Sequence, residues 1–209
     1  MRKKKNELLA IIKENIINNY KSYLIVLIIF AVGVFLGVMI LNQTEKKEDI
    51  EKYINTYIDE TKSIENGNYL IEVKNEIKNN IILVFLLWFA GTTIIGIPIV
   101  LGIILARGVC LGYTISACVY VLGKIKGLIF VIITLFLQNM IFIPALMVLG
   151  VSSIKLYTSI IKDRRKENIK ISILRHSIVS IIIAIILILE AIIKIEISYK
   201  LLVNLAKYF

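Results

Sequence analysis

One histidine, two cysteines and fifteen carboxylates make up the chain's imidazole, thiol and acidic chemistry, and their spacing decides what they can do. His176 has no cysteine near it and no acidic cluster in its segment. A nucleophile, a base and an orienting group therefore cannot be assembled around it. It reads as an interface residue at the mouth of the last apolar segment. Cys110 and Cys118 stand eight residues apart in one apolar run, about 12 Å along a helix. That is too far for a disulfide, and both read as small packing residues. A metal centre needs three or four clustered ligands, and no suitably spaced His, Cys or carboxylate set occurs. Nor does the GxxxxGK[ST] pattern of a nucleotide-binding loop. The expectation is a protein that is not an enzyme, with no cofactor and no metal.

The remaining chemical candidates are polar groups embedded in hydrocarbon-loving sequence, where they are costly unless paired. Gln138 and Asn139 interrupt the run Leu128–Gly150, and amides there can join neighbouring helices. Glu190 lies near the end of the last apolar run with Lys194 four residues on, the spacing of an i,i+4 ion pair.

The elements that must position these groups are membrane helices. The chain has 209 residues, 58% hydrophobic and 19% charged, outside the range of soluble domains. Eight of its eleven glycines and both prolines fall between Ile81 and Gly150, inside apolar sequence rather than in polar loops. Transmembrane helices tolerate and use such residues for close approach. Gly33 and Gly37, then Gly108 and Gly112, form two GxxxG patterns that present a glycine face to another helix. That helix belongs either to the same chain or, in a homo-oligomer, to a second copy. Pro144 joins Gln138 and Asn139 as a helix-packing candidate.

Windows long enough to cross about 30 Å of hydrocarbon are Tyr23–Leu41, Ile81–Leu105, Val109–Gly123, Leu128–Gly150 and Ser177–Ile193. The predicted fold is thus all-α and polytopic, with about five transmembrane helices and a small extracytoplasmic helical hairpin. Only Ala106, Arg107 and Gly108 separate the second and third windows, and Pro98 could move that break earlier. The first window is longer than a signal-peptide core and lacks a small-x-small cleavage site, so it is expected to be retained. The organisation expected is a cytoplasmic amphipathic segment over 1–22, a first span over 23–41, the hairpin over 42–80, a membrane bundle over 81–193 with a basic cytoplasmic loop over 151–176, and an extracytoplasmic tail over 194–209. With the N-terminus inside, the cytoplasmic pieces hold all of the net charge of +10, in keeping with the positive-inside rule. Charge of this kind beside a bilayer points to anionic lipid rather than nucleic acid.

Residues 42–80 are the one sizeable polar segment. Ile50, Tyr53, Ile54, Tyr57, Ile58, Thr61 and Ile64 recur at three and four, a helical stripe. Asn66-Gly67-Asn68 is a turn signal, and Tyr69, Leu70, Val73 and Ile77 resume the pattern. A hairpin of about 39 residues is too small to enclose a core, so the stripe must pack on the bilayer, on the chain's own spans, or on an extracytoplasmic partner through Tyr53, Tyr57 and Tyr69. Leu8, Leu9, Ile12, Ile16 and Ile17 give the N-terminal segment one apolar side, as an interfacial helix would have.

Three stretches in order carry a resemblance: Leu87-Trp88-Phe89-Ala90-Gly91-Thr92-Thr93-Ile94-Ile95-Gly96-Ile97-Pro98, Ala106-Arg107-Gly108-Val109-Cys110-Leu111-Gly112-Tyr113, and Leu137-Gln138-Asn139-Met140-Ile141-Phe142-Ile143-Pro144-Ala145. With the length, the early single span and the outer polar segment, the chain resembles the stage II sporulation protein M family of spore-forming Firmicutes. In the wider family the position near Gln138 and Asn139 often reads His-Gly, followed by an acidic residue before the proline. The amides and Ile143 here resemble the sporulation branch instead, and Glu190 resembles the family's acidic residue in the last span. The resemblance implies a non-enzymatic scaffold of the septal and mother-cell engulfing membrane. It would localise the peptidoglycan-cleaving stage II sporulation proteins P and D during engulfment. The alternative reading is a small permease or transporter subunit whose path is lined by the Gly/Pro-broken helices.

Overall fold

The computed structural model describes residues 14–43, 48–52, 54–56, 69–93, 95–132, 137–161 and 169–205. Among these, helix is the only regular structure. A helical turn over 14–18 leads into α1 (Tyr20–Gln43), followed by α2 (Tyr69–Thr92), α3 (Gly96–Leu122), the short α4 (Lys124–Val131), α5 (Leu137–Ile161) and α6 (Ile169–Leu205).

Four of these segments are long and apolar enough to cross a membrane: Tyr20–Gln43, Gly96–Leu122, Asn139–Ile161 and Ile169–Ile195. The protein is an all-α, multi-pass membrane protein. The sequence suggested about five spans, and the difference lies in α2. Its first ten residues carry Glu72, Lys74, Glu76 and Lys78, and only its second half is continuously apolar. It still runs the length of the bundle beside α6, from a contact near Lys194 to one near His176.

α1 is apolar all round, as a lipid-facing helix is. Its buried residues, Val26, Phe30, Gly33, Gly37 and Leu41, follow one another at three and four, while Leu24, Leu27, Ile28 and Phe35 stay exposed to lipid. α3 buries Gly96, Val100, Ile104, Gly108 and Gly112, a strict four-residue stripe. The two stripes meet in increasing order along both helices, Gly33 against Gly108 and Gly37 between Val109 and Tyr113. α1 and α3 are therefore parallel and pack directly on each other, and α2 runs back antiparallel to both, packed mainly on α5 and α6.

The break that permits this lies at Thr93–Ile95, not at Ala106-Arg107-Gly108. There, Thr93 N–H donates to the Ala90 carbonyl and Gly96 N–H to the Thr93 carbonyl, both at 3.1 Å, and a Cβ on Gly96 would run into the Ala90 carbonyl. Pro98 then falls in the first turn of α3, where its missing N–H has no intrahelical partner to lose. Arg107 consequently sits inside α3, with its guanidinium 5.5 Å from the centroid of the Phe142 ring, and not in a loop. The ends of the other spans move too. α5 runs on to Ile161 and α6 starts at Ile169, so residues 151–161 and 169–176 of the expected basic loop are helical. Tyr69–Asn80 belongs to the same helix as the apolar run after it.

A core of Val26, Phe30, Leu83, Leu87, Val100, Ile104, Leu146, Leu149, Ile183 and Leu187 joins α1, α2, α3, α5 and α6. A second cluster closes the far end. Gly123, at φ 84°, turns α4 back on α3 with Gly127 tight against the Cys118 carbonyl. Phe130 and Val131 then pack with Leu41, Ala117 and Cys118. Ile50 and Ile54, from the helical segment after α1, are buried in this same cluster at 4% and 1% exposure.

Candidate functional site

The polar groups inside the bundle gather along α6. At one end of it, Ser172, His176 and Ser180 recur at four residues and are all buried. This face meets Ser152, Ser153 and Ser159 of α5. Ser152 Oγ lies 2.9 Å from His176 Nδ1 and Ser159 Oγ 2.8 Å from Ser172 Oγ. The Ser153 and Ser180 hydroxyls instead donate back to the carbonyls of Leu149 and His176, the local bonding expected of helix serines. α2 completes the cluster, its Trp88 indole N–H donating to Ser177 Oγ at 3.0 Å. Gly91 lets α2 come close, because a Cβ there would stand 2.6 Å from Ser153 Oγ and 2.8 Å from His176 Nε2.

His176 is 1% exposed, so at this end of α6 its ring faces the bundle interior. Its Nε2 is buried and has no hydrogen-bond partner among the described residues. Ser152 and His176 could in principle make a nucleophile and base. No carboxylate orients the ring among the described contacts, and the observed bond uses Nδ1.

Toward the opposite end, Glu190 and Asn80 are buried together, at 3% and 2% exposure. Asn80 Nδ2 donates to Glu190 Oε2 at 3.2 Å and to the Leu187 carbonyl at 3.1 Å. Lys194 Nζ pairs with Glu76 at 2.7 Å, so the expected Glu190–Lys194 pair is replaced by two bonds that both cross from α6 to α2. A helix-spanning carboxylate thus acts between helices and not along one. Sequence reasoning missed Asn80 because it fell at the last position of the expected hairpin, where an Asn needs no explanation.

The packing candidates fall into two groups. Gly33, Gly37, Gly108 and Gly112 converge on a single α1–α3 seam, where the Cα atoms of Gly33 and Gly108 lie so close that a Cβ on either would be 3.1 Å from the other. Asn139 is half-buried and engaged, while Pro144 is exposed within α5. Gln138 opens α5, with its side chain outside the described residues. The partner-binding candidates Tyr53 and Tyr57 also lie outside them, and Tyr69 begins α2 without a described side chain. Among the described residues no group of three His, Cys, Asp or Glu could hold a metal ion.

The family model for stage II sporulation protein M matches residues 26–196, from the first buried valine of α1 through both polar clusters. The chain belongs to the stage II sporulation protein M family. Searches of curated proteins and of solved structures return no match. The matched region holds all four seam glycines, the Gly91–Ser153–His176 contact and the Asn80–Glu190 bond. These are accordingly features of the sporulation-related membrane protein itself and not of an appended segment.

Proposed function

We propose that this stage II sporulation protein M family member is a non-enzymatic membrane scaffold. It localises the peptidoglycan-degrading stage II sporulation proteins P and D at the septal membrane while the engulfing mother-cell membrane migrates in endospore formation. The observation that supports this most is how the buried polar groups are used. Asn80 with Glu190, Trp88 with Ser177, Ser152 with His176 and Ser159 with Ser172 all serve helix–helix bonds, and the glycines of α1 and α3 serve close packing. A rigid bundle of this kind acts through its surfaces. Its N-terminus and the His176 end face the cytoplasm in this reading, placing Lys155 and Arg175 on the inner leaflet side as the positive-inside rule favours.

The burial of Ile50 and Ile54 against the protein's own helices narrows where partners can bind. Ile50 and Ile54 of the outer segment's apolar stripe are thus occupied, and docking is assigned in this reading to the stripe's aromatic positions in the sequence, Tyr53 and Tyr57, with Tyr69. Co-purification in detergent with the membrane-anchored hydrolase tests this directly. Tyr53→Ala with Tyr57→Ala should lose the hydrolase while Lys46→Ala keeps it, and equal retention by both variants removes the outer segment from the interface.

A further inference from the structure

Between the start of α1, the last turns of α5 and the first turns of α6 lies a cavity of about 390 Å³ whose lining includes Asn19, Ser22, Lys155, Ser159, Ser172 and Arg175. We propose that this cavity seats the phosphate of an anionic phospholipid headgroup. Among the described lining residues there is no Asp or Glu, while Lys155 and Arg175 are both present. A phosphodiester is the anion that bilayer depth supplies, and a guanidinium fork matches its oxygens in a bidentate manner. The hydroxyls of Ser159 and Ser172 already pair with each other at 2.8 Å, and that pair ties α5 to α6 one turn nearer the helix ends than Lys155 and Arg175.

Three observations favour a lipid over free phosphate. The cavity sits where α1 and α6 begin their apolar stretches, the level of headgroups, with Tyr23 in its wall as tyrosines are at membrane interfaces. Its walls are mixed, with Val148, Val151 and Val179 facing the polar residues. Around Arg175 on the same helix, Ile171, Leu174 and Ile178 are 55%, 60% and 49% exposed, an apolar strip along which acyl chains can run. The volume is at the low end for a ligand pocket, suited to a headgroup with its chains outside.

The test uses the full chain, delipidated in detergent and titrated with phosphatidylglycerol or phosphatidylcholine. Bound lipid is read by native mass spectrometry. Arg175→Gln and Lys155→Gln should each weaken phosphatidylglycerol about fivefold and the double variant about twentyfold, on the scale of one surface cation per anionic lipid. Lys124→Gln, at the other end of the bundle, should leave it unchanged. Phosphatidylcholine bound as tightly as phosphatidylglycerol, or a double variant that binds like the parent, overturns the proposal. So does inorganic phosphate displacing phosphatidylglycerol at equal concentration, since the cavity would then take the ion and not the lipid.

Discussion

Gly108→Ala separates close packing from mere tolerance of glycine in a membrane helix. A Cβ at this position would lie 2.5 Å from the Phe30 carbonyl oxygen and 3.1 Å from both the Cα of Gly33 and the amide nitrogen of Val34. All three are backbone atoms, so no rotamer change relieves the overlap. Ordinary contact begins near 3.4 Å, and α1 must retreat by about 0.9 Å, the difference between 3.4 and 2.5 Å. Overpacking of that kind costs about 1–3 kcal/mol, and the retreat also loosens Gly37 and Val34 against Val109, Gly112 and Tyr113. Against this stands a helix-propensity gain of at most about 1 kcal/mol for replacing glycine by alanine. Gly102 is the internal control, because the same Cβ there meets nothing within 4 Å and keeps the propensity gain alone. Thermal unfolding in detergent is the assay. A net loss of up to about 2 kcal/mol in a chain of this size lowers Tm by up to roughly 8 °C, while Gly102→Ala should hold or raise it. If Gly108→Ala melts at or above Gly102→Ala, the α1–α3 seam is not the close contact described.

Three further outcomes follow from the polar clusters and the helix break. Asn80→Ala should destabilise the protein by about 1–3 kcal/mol, since it strips the buried Glu190 of its described donor; Glu190→Gln keeps the bond to Asn80 and should cost less, and thermal melts of the two variants read the order. Gly91→Ala should lower Tm by driving a methyl between Ser153 Oγ and His176 Nε2, and adding Ser153→Gly should recover part of the loss. In a background with Cys110→Ala and Cys118→Ala, Arg107→Cys should resist a membrane-impermeant thiol reagent applied from either face, whereas Lys124→Cys reacts from one face; reaction at position 107 would restore a loop between Leu105 and Val109.

What could be read from the sequence, and what could not, divides along physical lines. Helix is signalled by long apolar runs, and membrane by the absence of polar punctuation around glycine and proline, so the class of fold was legible. The break between α2 and α3 was left open between Ala106-Arg107-Gly108 and an earlier point near Pro98, where it falls, because a continuous apolar run carries no phase information. Arg107 and Gly108 looked like a polar turn, yet Phe142 receives the guanidinium and Gly33 needs the glycine, and neither partner is visible from local spacing. The polar contacts were legible as residues but not as pairs. Glu190 invites a partner four residues away on its own helix, and only the antiparallel packing of α2 offers Asn80, 110 positions earlier. The one missed signal that was present is the four-residue recurrence Ser172, His176, Ser180, a polar stripe on an otherwise apolar helix, matched by Ser152 and Ser153 before it.

The two kinds of seam do different work, which bears on how such a bundle could serve as a scaffold. α1 and α3 are held by backbone-to-backbone proximity, which is insensitive to protonation and depends only on shape. α2, α5 and α6 add to their shared apolar core interhelical hydrogen bonds, each modest in itself and costly when one partner is lost. His176 Nε2 departs from this pairing, being buried without a partner among the described residues, and it does so where three helices meet beside the cavity that carries Lys155 and Arg175. The α1–α3 seam is therefore set by backbone shape alone. The junction of α2, α5 and α6 at His176 is where a small shift would be cheapest, since a movement there could gain a hydrogen bond and not only lose one.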